Sequence, residues 1–421
     1  MKVTALFSSS VILALLSACA CETPVQPEIA MAKHGNNAAV VESKKPCYET
    51  VDLTTNKCSE TITATFDHKG VLWIAWVRNE HIYVQSSNDK GISFSLPVIV
   101  NPIAEKVEAK GEYRPKIKLD RQGNIFLTWT LKLEPRYTGY IRFSRSSDGG
   151  KHFTSPMTVN NDSAMISHRF DTLAIGKQGE IFIAWLDARD FEAAKKAGQP
   201  YEGTSLYYAW SNDGGQHFYP NNRIATHTCQ CCRLDSAIAP DNTPVIFWRH
   251  IFEGGIRDHA LVKFYDWKTP GDTFRVGQDN WKIEACPHHG PALSISDNGI
   301  FHSVWFSNSE TSQGLFYAHS KDQGRHFSKP KPFGEAGAGH PHVLAFGAHV
   351  NIVWQEYDGQ HNLIKLMQSV DNGNTWLPSV TIFKTTEQGD QPFLINDGTM
   401  LYLSWKGPQQ NYQLKPLGLL N

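Results

Sequence analysis

Ser87-Asn88-Asp89-Lys90-Gly91-Ile92-Ser93-Phe94 is one of five copies of a single octet, Ser-x-Asp-x-Gly-x-x-aromatic. The others occupy residues 146–153, 211–218, 320–327 and 369–376. Ahead of each copy runs a short segment rich in β-branched and aromatic residues that ends in Trp, as in Val71-Leu72-Trp73-Ile74-Ala75-Trp76 or Ile181-Phe182-Ile183-Ala184-Trp185. Such Trp residues stand at 76, 129, 185, 248, 305, 354 and 405, separated by 53, 56, 63, 57, 49 and 51 positions. A sentence repeated seven times at this period has the size of one propeller blade, so the chain reads as an all-β propeller of seven four-stranded blades.

The octet has a mechanical reading. Its Ser and Asp side chains can hydrogen-bond the backbone of their own turn, Gly supplies a conformation closed to other residues, and the aromatic tucks beneath. The motif resembles the Asp-box, or BNR repeat, of sialidases and many other propellers, and the resemblance covers residues 60 to about 410. Sialidases have six blades, and six is the alternative count here because the seventh segment lacks the octet. An Asp-box implies a fold rather than a reaction.

The chain has 421 residues, 41% hydrophobic content and 12 Trp, enough for a large core. Its formal net charge is −1 with no basic run, which argues against nucleic acid as a partner. Lys2 followed by a short apolar run and Leu16-Ser17-Ala18-Cys19 reads as a targeting segment. That tetrapeptide resembles a bacterial lipobox, which implies a lipoprotein signal peptide at 1–18, acylation of Cys19, and a membrane anchor. Ala20 in place of Asp resembles an outer-membrane address in the cell envelope. An ordinary secretory signal is the alternative. Residues 19–46 then read as a flexible tether and 47–421 as the propeller.

Taken in order, blade three carries an insertion whose residues 192–197 read as a helical turn, and blade four has a worn octet at 266–274. Blade seven ends without a fourth strand. Propellers commonly borrow it from the other terminus, and residues 48–53 alternate suitably for that N-terminal closing strand. Cys47 and Cys58 flank it, and in an oxidising compartment they read as a disulfide pinning the closure.

Counting back 14 to 16 residues from each Trp reaches the start of the innermost strand, where loops converge on the channel. Blades two, three and four place Arg114, Arg169 and Arg233 there, and blades five and six place His289 and His340, with His288 and His342 beside them. Cys229-Gln230-Cys231-Cys232 precedes Arg233, and Cys286-Pro287 precedes the first His pair. Thiolate and imidazole from neighbouring blades suit copper, with zinc as the alternative. The same residues also fit one or two disulfides with His lining the channel, or a redox thiol site.

Sialidases, as that resemblance implies, clamp a substrate carboxylate with three arginines at this mouth and use an acidic loop. Arg169 stands where their Phe-Arg-Ile-Pro motif places its Arg, and Leu186-Asp187-Ala188-Arg189-Asp190 follows the Trp strand as their acidic loop does. Yet His168-Arg169-Phe170-Asp171 lacks Ile-Pro, and Tyr113-Arg114-Pro115 lacks the Ile. Glu356 and Tyr357 are adjacent and so would face opposite ways on a strand. The other reading of Arg114, Arg169 and Arg233 is ion pairing with Asp171, Asp187, Asp190 and Asp235 around the channel. Three functions follow: a lipid-anchored propeller whose Cys/His mouth binds a transition metal, a sialidase-type glycoside hydrolase acting on a glycan, and a disulfide-tied binding scaffold. The partner protein is unknown.

Overall fold

The computed structural model describes residues 55–56, 58–285, 287–387, 389–407 and 412–420. The signal peptide and tether, Cys19, Cys47, the closing strand at 48–53 and Cys286 lie outside them.

Seven antiparallel sheets succeed one another along the chain, six with four strands and the seventh with three among the described residues. Within each sheet the strands pair in chain order, so every blade is a meander that starts at its inner edge. The first strands are Ile62–Phe66, Lys116–Leu119, His168–Ile175, Asp235–Ile238, Ala292–Ile295, Gly339–Phe346 and Phe393–Asn396. Each touches the first strand of the next blade, and Phe393–Asn396 touches Ile62–Phe66, so the ring closes at seven rather than six.

The second strands carry the seven periodic Trp residues, all at most 4% exposed. Their alternation sends large apolar side chains into the gaps between blades. Phe126 and Phe143 of blade two pack with Ile181 and Trp185 of blade three, and Ile62 and Trp76 of blade one pack with Tyr412 of blade seven. Burying each indole leaves an N–H to satisfy. Gln85, Glu105, Asp187, Asp279 and Glu356 accept from Trp76, Trp129, Trp185, Trp305 and Trp354 at 2.7–3.0 Å, and the Asp390 carbonyl accepts from Trp405. Trp248 Nε1 has no partner among the described residues.

The five octets form the turns between third and fourth strands. In each, the Ser hydroxyl donates to the Asp carboxylate at 2.7–2.8 Å. The same hydroxyl accepts from the Gly N–H. The Asp accepts the backbone N–H four residues on. The Gly is needed twice over: at Gly373, φ is +81°, and a Cβ would stand 1.9 Å from Tyr317 Oη of the preceding blade. Blade four keeps only Asp266 accepting from Lys268 and Thr269.

The insertion in blade three forms the helix Arg189–Lys196, which begins earlier than the expected turn. Asp187 Oδ1 accepts the Arg189 N–H at 2.9 Å, and Asp190 and Glu192 occupy the first turn, where negative charge is favoured. No residue of this helix is buried.

Candidate functional site at the channel mouth

The seven first strands enclose an axial cavity of about 500 Å³. Its wall includes Lys116, Lys118, Asp171, Asp235 and His342, and its mouth Glu112, Arg114, Arg233, His340 and Gln391. Enclosure by apolar strands disfavours charge. Burial pushes the Asp235 carboxyl up to about 6 despite Lys118 nearby, and lowers both lysines. Burial and the Lys118 charge bring His342 down to about 4, and its Nδ1 accepts the Leu394 N–H at 3.3 Å.

At the centre of the mouth stands Glu112, which sequence reasoning passed over. Its Oε1 lies 3.0 Å from His340 Nδ1, and its Oε2 lies 3.3 Å from Arg233 Nε and accepts the Gly290 N–H at 3.0 Å. One carboxylate of blade two thus ties the inner loops of blades four, five and six. Burial works against its ionisation, but the His340 hydrogen bond and the Arg233 charge outweigh burial and hold it at about 2. His289 stacks on Phe306 at 4.2 Å and lies 4.6 Å from the His340 ring. Burial brings it down to about 3, and its buried Nδ1 has no partner among the described residues. His288 Nδ1 lies 3.3 Å from Arg233 Nη1.

The three arginines are ion-paired, as one reading expected, but with other partners. Arg114 binds Asp390 at 2.5 Å, Arg169 binds Glu108 at 2.9 Å, and Arg233 binds Glu112. The expected partners are engaged elsewhere. Asp187 is fully buried with His168, Arg189 and the Trp185 indole, and Asp235 accepts the Leu293 N–H. Asp171 accepts from the Thr130 hydroxyl. Asp190 accepts from Ser205 and Tyr207 and pairs with Arg223, all on the outer strands of blade three and away from the axis. The true partners sit in the loops before first strands. Glu112 is two residues before Arg114, and Asp390 stands 15 before Trp405, so the same count-back applied to blade seven finds it. Nothing comparable pointed to Glu108.

Arg169 and Arg233 flank Tyr113, their guanidinium carbons 5.4 and 4.3 Å from its ring centre. Tyr113 packs on Phe170 at 4.2 Å, and burial pushes its hydroxyl up to about 12.

The cysteines occupy the wall rather than the channel. Cys229, Cys231 and Cys232 are buried between blades three and four with Leu206, Leu234 and Trp248. Their sulfurs all lie within 4.8 Å of one another, and among the described residues this is the group whose spacing could hold a metal ion. Cys229 and Cys232 form a disulfide with Cα atoms 5.6 Å apart, and Cys58 and Cys231 are each in a disulfide whose other cysteine lies outside the described residues. The cysteines and imidazoles are therefore two groups, joined by Arg233, which donates to the Cys231 carbonyl at 3.2 Å and meets His288.

No protein-family model and no curated protein sequence matches the chain. Solved structures do. An ulvan lyase, a polysaccharide lyase bound to -[GlcA(1-4)Rha3S]-, aligns with a TM-score of 0.52 at 10% identity over 88% of this chain and 95% of that one. A protein of unknown function from Dyadobacter fermentans aligns at 0.50 and 16% identity over 75% and 95%. A leech intramolecular trans-sialidase aligns at 0.49 and 9% identity over 83% of each. At such identity the likeness is one of fold. The chain is a seven-bladed propeller, similar in fold to the ulvan lyase.

Proposed function

We propose that the protein is a lipid-anchored envelope propeller that binds a soft transition metal, copper(I) first and zinc as the alternative, through Cys229, Cys231 and Cys232 in their reduced form. The observation carrying this reading is the trio of buried sulfurs within 4.8 Å of one another beside the channel mouth. Three converging thiolates suit a soft ion, and Arg257 Nη1, 4.0 Å from Cys229 Sγ, offsets part of their charge. Cys286 is a further ligand by sequence position. Loading requires reduction. Both the Cys229–Cys232 disulfide and the disulfide that holds Cys231 must open: for each, a dithiol supplies two electrons and two protons and is itself oxidised to a disulfide, and the thiols released lose their protons as metal enters. The anchor rests on Leu16-Ser17-Ala18-Cys19 and the tether behind it.

The test is competition for copper(I) against bathocuproine disulfonate, under anaerobic conditions and after reduction, with zinc in a parallel titration. Stoichiometric binding that is lost in Cys232→Ser supports the reading. Reduced protein that does not compete, or binding indifferent to Cys232→Ser, leaves the disulfide scaffold.

A second reading, action on or binding of an acidic glycan at the mouth, is favoured by Tyr113 held between two guanidinia beside an ionised Glu112 and an uncharged His289. The ulvan lyase of like fold takes a glucuronate-containing chain. Sialidase-type cleavage is disfavoured because each of the three arginines already holds a carboxylate of the protein itself.

A further inference from the structure

The turn between the second and third strands of blade two, residues 133–138, stands on the mouth face and holds Tyr137 in an unusual state. Its φ is +67°, a region that favours glycine and that a bulky residue occupies only at a conformational cost. Packing does not repay that cost, since the residue remains 53% exposed. The turn is closed by Thr138 N–H to the Pro135 carbonyl at 3.2 Å and Leu133 N–H to the Thr138 carbonyl at 3.2 Å, so the ring is presented rather than adrift.

From this ring a line of alternating cations and aromatics runs inward. Arg136 lies 4.7 Å from the Tyr137 ring centre and Arg169 lies 5.8 Å from it. Arg169 is next to Tyr113 and Phe170, and Tyr113 is next to Arg233 at the Glu112 hub. Along this line Arg169 and Arg233 are neutralised by Glu108 and Glu112. Arg136, at the outer end, is exposed and has no ion pair among the described residues. An exposed ring at the rim with one uncommitted guanidinium beside it fits a saccharide that packs on the aromatic and carries an anionic substituent for the fork.

We propose that Tyr137 and Arg136 form an outer subsite for an acidic glycan, a chain bearing carboxylate or sulfate groups, which runs from the rim along Arg169 and Tyr113 toward Glu112. This rests on the second reading above and assigns its substrate class and approach.

The experiment uses the full chain and calorimetric titration with oligogalacturonate and a sulfated oligosaccharide, with a neutral cello-oligosaccharide and polyglutamate as comparisons. Tyr137→Gly is the informative variant: glycine accepts a φ of +67° without strain, so the fold is retained or gains thermal stability while the ring is lost. The expected result is binding of an acidic glycan by the wild type that weakens about fivefold to tenfold in Tyr137→Gly. Arg136→Gln should weaken it similarly and reduce its salt dependence. Wild-type affinity for an acidic glycan that Tyr137→Gly leaves unchanged overturns the subsite alone. Failure of the wild type to bind either acidic glycan overturns the second reading with it. Equal affinity for polyglutamate overturns the glycan assignment in favour of an acidic peptide.

Discussion

Replacing Glu112 by Gln removes one negative charge from the point where the inner loops of four blades meet. Two views of the same contacts give the cost. By linkage, a carboxyl held at about 2 when folded, against an ordinary 4.5, contributes about 3 kcal/mol near neutral pH. By pairing, the substitution strands Arg233, whose side chain is only 12% exposed, and such breakages cost about 3–5 kcal/mol. The sign is set by the direction of the shift. The folded pKa is depressed, so the stabilisation is fully present above the unfolded value of 4.5 and is lost as pH falls toward 2. Urea unfolding of wild type and Glu112→Gln should therefore differ by about 3 kcal/mol at pH 7 and by roughly half of that at pH 3. A difference below about 1 kcal/mol at pH 7, or one equally large at pH 3, would refute the view that an ionised Glu112 clamps the mouth. Taking the difference between variants cancels the titration of the other low-lying carboxylates, such as those of the octets.

The turn glycines offer an internally controlled test of close approach. Gly373→Ala places a Cβ against Tyr317 Oη, whereas Gly149→Ala meets nothing within 4 Å at a comparable φ of +74°. Thermal unfolding should show the first well below the second, by more than about 2 kcal/mol, because both share backbone strain and only one has a clash; equal effects would mean the blades do not pack through that turn. Cys19→Ser should leave the protein unprocessed by lipidation and released from membranes without detergent, and unaltered partitioning of the variant would remove the anchor from the proposed function.

Much of the fold was legible because its determinants are local. Each octet satisfies its own hydrogen bonds within seven residues, from the Ser hydroxyl to the N–H four positions beyond the Asp, and this chemistry survives transfer to any context. The Trp period fixed seven blades because each strand alternates on a period of two and must hide one face against a neighbour. The height of the site was legible too, since every first strand starts 12 to 17 residues before its Trp. Only the closed ring decided what happens at that height. Arg114 meets Asp390 across 276 residues and Glu112 meets His340 across 228, pairings that no local pattern encodes and that arise because blade seven abuts blade one. The direction of each side chain was also a tertiary matter. His340 and His342 turn into the channel, whereas Cys229, Cys231 and Cys232, a few residues ahead of their own first strand, turn into the apolar gap between blades three and four. Similar spacing along the chain therefore gave similar depth in the propeller, while the packing of neighbouring blades determined which groups could touch.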